Sequence, residues 1–196
     1  MTLKNTKLMN KLKELCKGSD VLDIILFGSA VRGNEKPNDT DIVVIFEDKI
    51  DKEMEYKIRK ELEKHFDNVS IISKTSKTVL GESFDARESL LFEGFSLLSL
   101  NNISTSRGFT SFGGFKYDFS NWDNNKKTKF YYALNGRNGS IGIFKSLECI
   151  KMSDSLVLIP LKNIDKFKDF LESWEIKYKY IPMLIPVRLG RKSILE

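Results

Sequence analysis

The stretch ILFGSAVRGNEKPNDTDIVVIF, residues 25–46, decides how this chain is read. Its ends are apolar runs rich in Ile, Leu, Val and Phe, with the length and β-branched content of buried strands. Between them, GNEKPND has loop chemistry. Gly28 closes the first run, and Asp39 and Asp41 stand two residues apart at the head of the second. Side chains alternate along a strand, so positions i and i+2 project to one face and two carboxylates are aimed at one region of space. Like charges that close raise one pKa unless a cation lies between them. A small hard cation such as Mg²⁺, which takes carboxylate, phosphate and water oxygens, relieves the repulsion. At the other end, Gly28 offers backbone without a side chain. Ser29 then opens Ala30-Val31-Arg32 as a possible short helix, whose unpaired N–H groups and hydroxyl can donate to phosphate oxygens. Arg32 adds a guanidinium fork that fits phosphate, and Gly33 lets the chain turn back. The competing reading is a plain turn, with Asn38-Asp39-Thr40 after Pro37 and Arg32 paired to Glu35 or Asp39. Gly28, Ser29, Arg32, Asp39 and Asp41 taken together favour a site.

Working outward, residues 3–17 carry Leu8, Leu12, Leu15 and Cys16 on one helical stripe, with Gly18 where a helix would stop. VLDIILFG and DIVVIFED read as strands. DKEMEYKIRKELEKHF reads as a charged helix with Met54, Ile58, Leu62 and Phe66 on one side and Asp51 as its N-cap. NVSIISK is a third strand, and DARESLLFEGFSLLSL a further helix. Residues 1–100 therefore read α, β, short α, β, α, β, α, a mixed sheet covered by helices. From Asn101 the pattern changes. GFTSFGGFKYDFS is rich in Gly and Phe, TKFYYALNGRNGSIGIF looks like two strands around the turn NGRNG, and the stretch from LVLIPL to YIPMLI reads strand, helix, strand. The expected organisation is one α/β domain over residues 1–100 and a small α+β domain over 101–196, ending in a basic tail, VRLGRKSILE.

Composition narrows the chemistry. With 41 % hydrophobic and 30 % charged residues, the chain of 196 has the profile of a globular protein. Its apolar runs are far shorter than the roughly 20 residues of a membrane-spanning helix, and its N-terminus has no continuous apolar signal region, so a cytoplasmic protein is expected. Cys16 and Cys149 have no metal-ligand spacing and read as reduced core residues. His65 is the only histidine, which nearly excludes imidazole-based catalysis and zinc centres. Any metal should be held by oxygen.

Charge divides unevenly. Residues 1–100 hold 16 Lys and Arg against 18 Asp and Glu, whereas residues 101–196 hold 16 against 9, a net of +7. Such an excess suits a polyanion, although surface lysine also keeps small domains soluble. Arg107, Lys126, Lys127, Lys129 and Arg137 lie among Phe109, Phe112, Phe115, Tyr117, Phe119, Trp122, Phe130, Tyr131 and Tyr132. Aromatics interleaved with cations can stack bases, but rings at strand-like spacing more commonly fill a core.

Gly28-Ser29, nine intervening residues, then Asp39-Thr40-Asp41 between apolar strands is similar to the signature of the DNA polymerase β-like nucleotidyltransferase superfamily. Ala30-Val31-Arg32-Gly33 resembles its minimal form. The resemblance covers roughly residues 20–100, including ESLLFEGFSLLS as a closing helix. It implies an α/β nucleotidyltransferase fold and transfer of a nucleoside monophosphate from an NTP, by default ATP, with Mg²⁺ or Mn²⁺ and release of pyrophosphate. On this resemblance Asp39 and Asp41 hold the metal, Gly28 and Ser29 the β and γ phosphates. The acceptor hydroxyl would belong to a nucleic acid or a protein, with the five basic residues above as candidate acceptor contacts. The family usually adds a third carboxylate from a later strand; here Ser70 stands at the aligned position, with Asp67 as the alternative if the register shifts. A hydroxyl there puts turnover in question more than nucleotide binding, so a catalytically weak nucleotide- or RNA-binding module is the alternative.

Overall fold

The computed structural model describes residues 5–34 and 37–189. The chain divides into two compact units, Met1–Arg107 and Gly108–Glu196. The described part of the terminal VRLGRKSILE stops at Leu189, and Glu35, one expected partner of Arg32, also lies outside the described residues. No described helix is long and apolar enough to cross a membrane.

The first unit begins with α1 (Thr6–Leu15), capped by Asn5, whose side chain accepts from the Leu8 N–H. Strands β1 (Val21–Phe27) and β2 (Thr40–Phe46) follow, then α2 (Lys52–Leu62) and β3 (Val69–Thr75). The Asp51 carboxylate accepts from the Glu53 and Met54 N–H groups and starts α2. Helix α3 (Arg87–Glu93), β4 (Phe95–Ser96), β5 (Asn101–Asn102) and α4 (Ile103–Ser106) complete the unit. The strands form one mixed sheet in the order β3-β2-β1-β4-β5, antiparallel except where β2 runs parallel to β3. Ile24, Leu26, Val43 and Val44 are almost wholly buried in its centre. They lie on the two apolar runs that flank the opening loop.

Two expectations for this unit are corrected. The helix read across residues 85–100 ends at Glu93. Gly94 adopts an extended backbone there, and a side chain on it would collide with the Leu90 carbonyl. Phe95 and Ser96 pair instead with Leu26 and Ile25, satisfying the open edge of β1. Ala30-Val31-Arg32 is no helix either, but a single turn in which the Val31 and Arg32 N–H groups both donate to the Gly28 carbonyl, at 3.1 and 3.3 Å. Gly28 and Gly33, with φ of 82° and 97°, bend the chain into and out of it before a second helical turn can form.

The second unit comprises β6 (Phe109–Asp118), α5 (Asn124–Asn135), α6 (Ile143–Ser146), β7 (Ile150–Lys151), β8 (Leu156–Pro160), α7 (Ile164–Ser173) and β9 (Lys177–Pro186). Its sheet is antiparallel throughout, in the order β7-β8-β6-β9. A further correction falls here: TKFYYALN is helical, not a strand. Asp123 caps α5 by accepting from the Lys126 N–H, Phe130 and Leu134 are buried one turn apart, and Gly136 at φ 86° ends the helix. The β-favouring aromatics are overruled because Phe130 packs on Tyr117, Phe119, Trp122, Phe170 and Trp174 at 5.3–6.0 Å. Rings of this unit build its core: Phe112, Phe115, Tyr117 and Phe130 are buried, while Phe109, Phe119, Trp122 and Tyr131 are partly so.

Candidate active site

The register of β1 against β2 sets Phe27 opposite Asp41, so the turn after β1 rises beside the start of β2. A Cβ on Gly28 would lie 3.0 Å from Asp41 Oδ2, which makes this glycine the seat of that carboxylate. Asp41 is half-buried as the second residue of β2, and Asp39 is exposed just ahead of the strand. The Asp41 carboxyl titrates above its ordinary range. Burial is the main cause, the charges of Asp39 and Glu93 add to it, and Arg32 opposes them. Asp39, Asp41, Arg32 and Gly28 are thus brought together.

Glu93 is the member that reading the sequence missed. It ends α3, is 5 % exposed, and accepts from the Gly28 N–H at 3.1 Å. Arg32 Nη1 donates to both of its carboxylate oxygens, at 3.0 and 2.8 Å. Arg32 therefore rests on a buried acid, its guanidinium shared between Glu93 and the field at Asp41. The Gly28 N–H is likewise committed to holding the turn. An acidic residue inside the apolar run LLFEGF, just before a glycine, was the signal available in the sequence.

The parallel pairing of β2 with β3 sets Ser70 beside Asp41. Ser70 is exposed, and in a parallel pair the two residues project to the same face. Asp67, the alternative acid, lies ahead of β3, where its carbonyl accepts from the Thr40 hydroxyl at 2.9 Å. The neighbouring strand thus presents a hydroxyl beside Asp41. Among the described residues no group of three or more His, Cys, Asp or Glu is arranged to hold a metal ion.

These features coincide with the outcome of comparison with known families. A family model described as Polymerase beta, Nucleotidyltransferase matches residues 10–93. Over residues 10–93 the chain is similar to that nucleotidyltransferase family. The match runs from within α1 to Glu93 and so includes the whole Gly28–Asp41 stretch. Neither a curated protein nor a solved structure matches the chain.

The expected acceptor contacts lie outside the matched residues. Arg107 follows α4 at the end of the first unit. Lys126, Lys127 and Lys129 are on α5. The Lys126 ammonium lies 4.2 Å from the Trp122 ring centre, and Lys127 donates to the Ser120 carbonyl at 2.8 Å. Arg137 covers Tyr132 at 4.4 Å, and Lys129 is exposed.

Proposed function

We propose that the domain binds a nucleoside triphosphate, ATP being the first to test, and transfers its nucleoside monophosphate to a hydroxyl of a nucleic acid or protein, releasing pyrophosphate. The observation that carries this reading is the Asp41 carboxylate packed against side-chain-free Gly28, with Asp39 adding negative charge beside it. Such a charge arrangement is unfavourable by itself and is relieved by a cation. Two carboxylates are the protein share of a typical Mg²⁺ or Mn²⁺ site whose remaining oxygens come from phosphate and water. Asp39 and Asp41 would hold the ion. Bound there, it would neutralise charge on the α-phosphate and the departing pyrophosphate.

Gly28 and Ser29 are proposed to cradle the β and γ phosphates. Gly28 does so by shape, since its N–H already serves Glu93. Arg32 contributes positive charge from a fixed position. In the transfer, the acceptor oxygen bonds to the α-phosphorus as the bond to the bridging oxygen of pyrophosphate breaks, and the acceptor hydroxyl loses its proton. The basic second unit is proposed to receive the acceptor, with Lys129 the most available contact and Lys126, Lys127 and Arg137 adding charge. Arg107, in the first unit, is a separate candidate contact.

A second reading is favoured by Ser70. A hydroxyl beside Asp41 is a poor metal ligand and a poor base, which suits a nucleotide- or RNA-binding module with weak transfer. One experiment separates the two. Full-length protein is incubated with α-labelled NTPs, Mg²⁺ or Mn²⁺ and RNA or protein acceptors, alongside Asp39→Ala/Asp41→Ala and Ser70→Asp variants. Transfer predicts label that the double variant abolishes and that Ser70→Asp raises on the order of 10²-fold, the scale of a general base. Label that persists in the double variant refutes the site. NTP binding without label, even in Ser70→Asp, leaves the binding module.

A further inference from the structure

The turn segment NGRNG, residues 135–139, holds two Asn-Gly steps. At such a step the glycine nitrogen is not shielded by a Cβ and can attack the preceding carboxamide, so asparagine is chemically labile there. Both asparagines are exposed, so access to water does not separate them. Hydrogen bonding does. Asn135 ends α5, where its Nδ2 donates to the Tyr131 carbonyl at 3.0 Å. The Gly136 N–H donates to the Tyr132 carbonyl at 2.8 Å, and a Cβ on Gly136 would collide with the Ser140 carbonyl. The leaving amide and the attacking nitrogen of this step are therefore both held by the helix.

Asn138-Gly139 is built differently. With φ of 50° and 84°, the pair forms the centre of a left-handed turn that the Ser140 N–H closes on the Arg137 carbonyl at 3.0 Å. The Ser140 hydroxyl adds to it, accepting from the Arg137 N–H at 2.9 Å and donating to the Arg137 carbonyl at 2.6 Å. Those bonds link only the ends of the turn. At its centre, the Asn138 carboxamide and the Gly139 N–H make no hydrogen bond to a described residue. Nothing approaches within 4 Å of where a Gly139 Cβ would lie, so the peptide between the two residues has room to rotate. Asn138 also holds a left-handed backbone that L-residues disfavour, and rotation relieves it.

We propose that Asn138 is a site of self-modification, converting through a succinimide to aspartate and isoaspartate while Asn135 persists. The Gly139 nitrogen bonds to Asn138 Cγ, its proton passes to the departing amide nitrogen, and ammonia leaves. Water then opens the ring. Attack at the Cγ carbonyl restores the chain as aspartate, and attack at the main-chain carbonyl reroutes it through Cβ as isoaspartate. Either product sets a carboxylate next to Arg137 in the chain, whose guanidinium covers Tyr132 at 4.4 Å. The conversion needs no nucleotide; only its consequence, a weakened acceptor contact at Arg137, rests on the transfer reading. The test is incubation of the full-length protein at neutral pH and physiological temperature, with peptide mapping by mass spectrometry, beside a sample in urea and a Ser140→Ala variant. In the folded protein Asn138 should convert about tenfold faster than Asn135, the scale of the two hydrogen bonds held by the reacting groups of Asn135-Gly136. In urea the two steps should convert at similar rates, because the hydrogen bonds that distinguish them are gone. Ser140→Ala loosens the turn and should raise the rate at Asn138 about threefold, the scale of one exposed hydrogen bond, without changing Asn135. Equal rates in the folded protein, faster conversion of Asn135, no rise at Asn138 in Ser140→Ala, or an unchanged Asn138 while the urea sample converts overturns the proposal.

Discussion

Replacing Gly28 with alanine tests the link between backbone and site most directly. Gly28 sits at φ 82°, where an L-residue loses roughly 1–2 kcal/mol. The new Cβ would also lie 3.0 Å from Asp41 Oδ2, and displacing a packed group by that much costs about 1 kcal/mol more. Gly28→Ala should therefore lower the stability of the first unit by about 2–3 kcal/mol. The assay is urea unfolding of four proteins: the parent, Gly28→Ala, Asp41→Ala and the double variant. In the Asp41→Ala background the contact is gone, so alanine at position 28 should cost only the backbone share, leaving a coupling near ~1 kcal/mol. Stabilisation by Mn²⁺ and ATP should be lost with Gly28→Ala, because the carboxylate is moved. An equal cost in both backgrounds, with Mn²⁺ and ATP still stabilising, would refute the view that this glycine seats Asp41.

Other outcomes follow from the same geometry. Asp41→Asn should stabilise the metal-free protein at pH 7, since the Asp41 pKa is raised by burial and by Asp39 and Glu93. The sign is that of an acid whose charged form is disfavoured by folding. Its stability is fully present below the ordinary value near 3.8 and lost as pH rises through the raised value, so the asparagine advantage should vanish in acid. Unfolding midpoints against pH measure it. Arg32→Ala leaves Glu93 buried without its cation and should cost about 3 kcal/mol, the low end for a broken buried pair because Arg32 keeps some solvent contact. The combined Arg32→Met/Glu93→Gln variant should recover part of that loss in urea unfolding. The Cys149 thiol, pushed up to about 12 by burial, should resist a thiol-specific reagent at pH 8 until the protein is unfolded.

Much of the candidate site was legible because its elements are local. The apolar runs of β1 and β2, the glycine between them and the i, i+2 acids lie within residues 25–46, and so does the turn that joins them. The Asp51 cap of α2 was equally readable, since a cap acts over three residues. Glu93 was not, because an acid in an apolar run gains its meaning only from partners 61 and 65 residues away. Helix α5 was read as strand for the related reason that its aromatic residues favour strands, a preference overridden only by packing with distant rings.

The sequence by itself determined the chemical kinds present: hard oxygen donors at Asp39 and Asp41, a side-chain-free turn at Gly28, and a second half with excess positive charge. The tertiary structure alone decided their relations. Register set Asp41 between Gly28 and Ser70, and the end of α3 brought Glu93 under Arg32. Packing around Phe130 made a helix of a β-favouring segment. Propensity and spacing act along a few residues of chain, whereas a strand register, a buried ion pair and an aromatic core come from residues that meet only after the chain has folded.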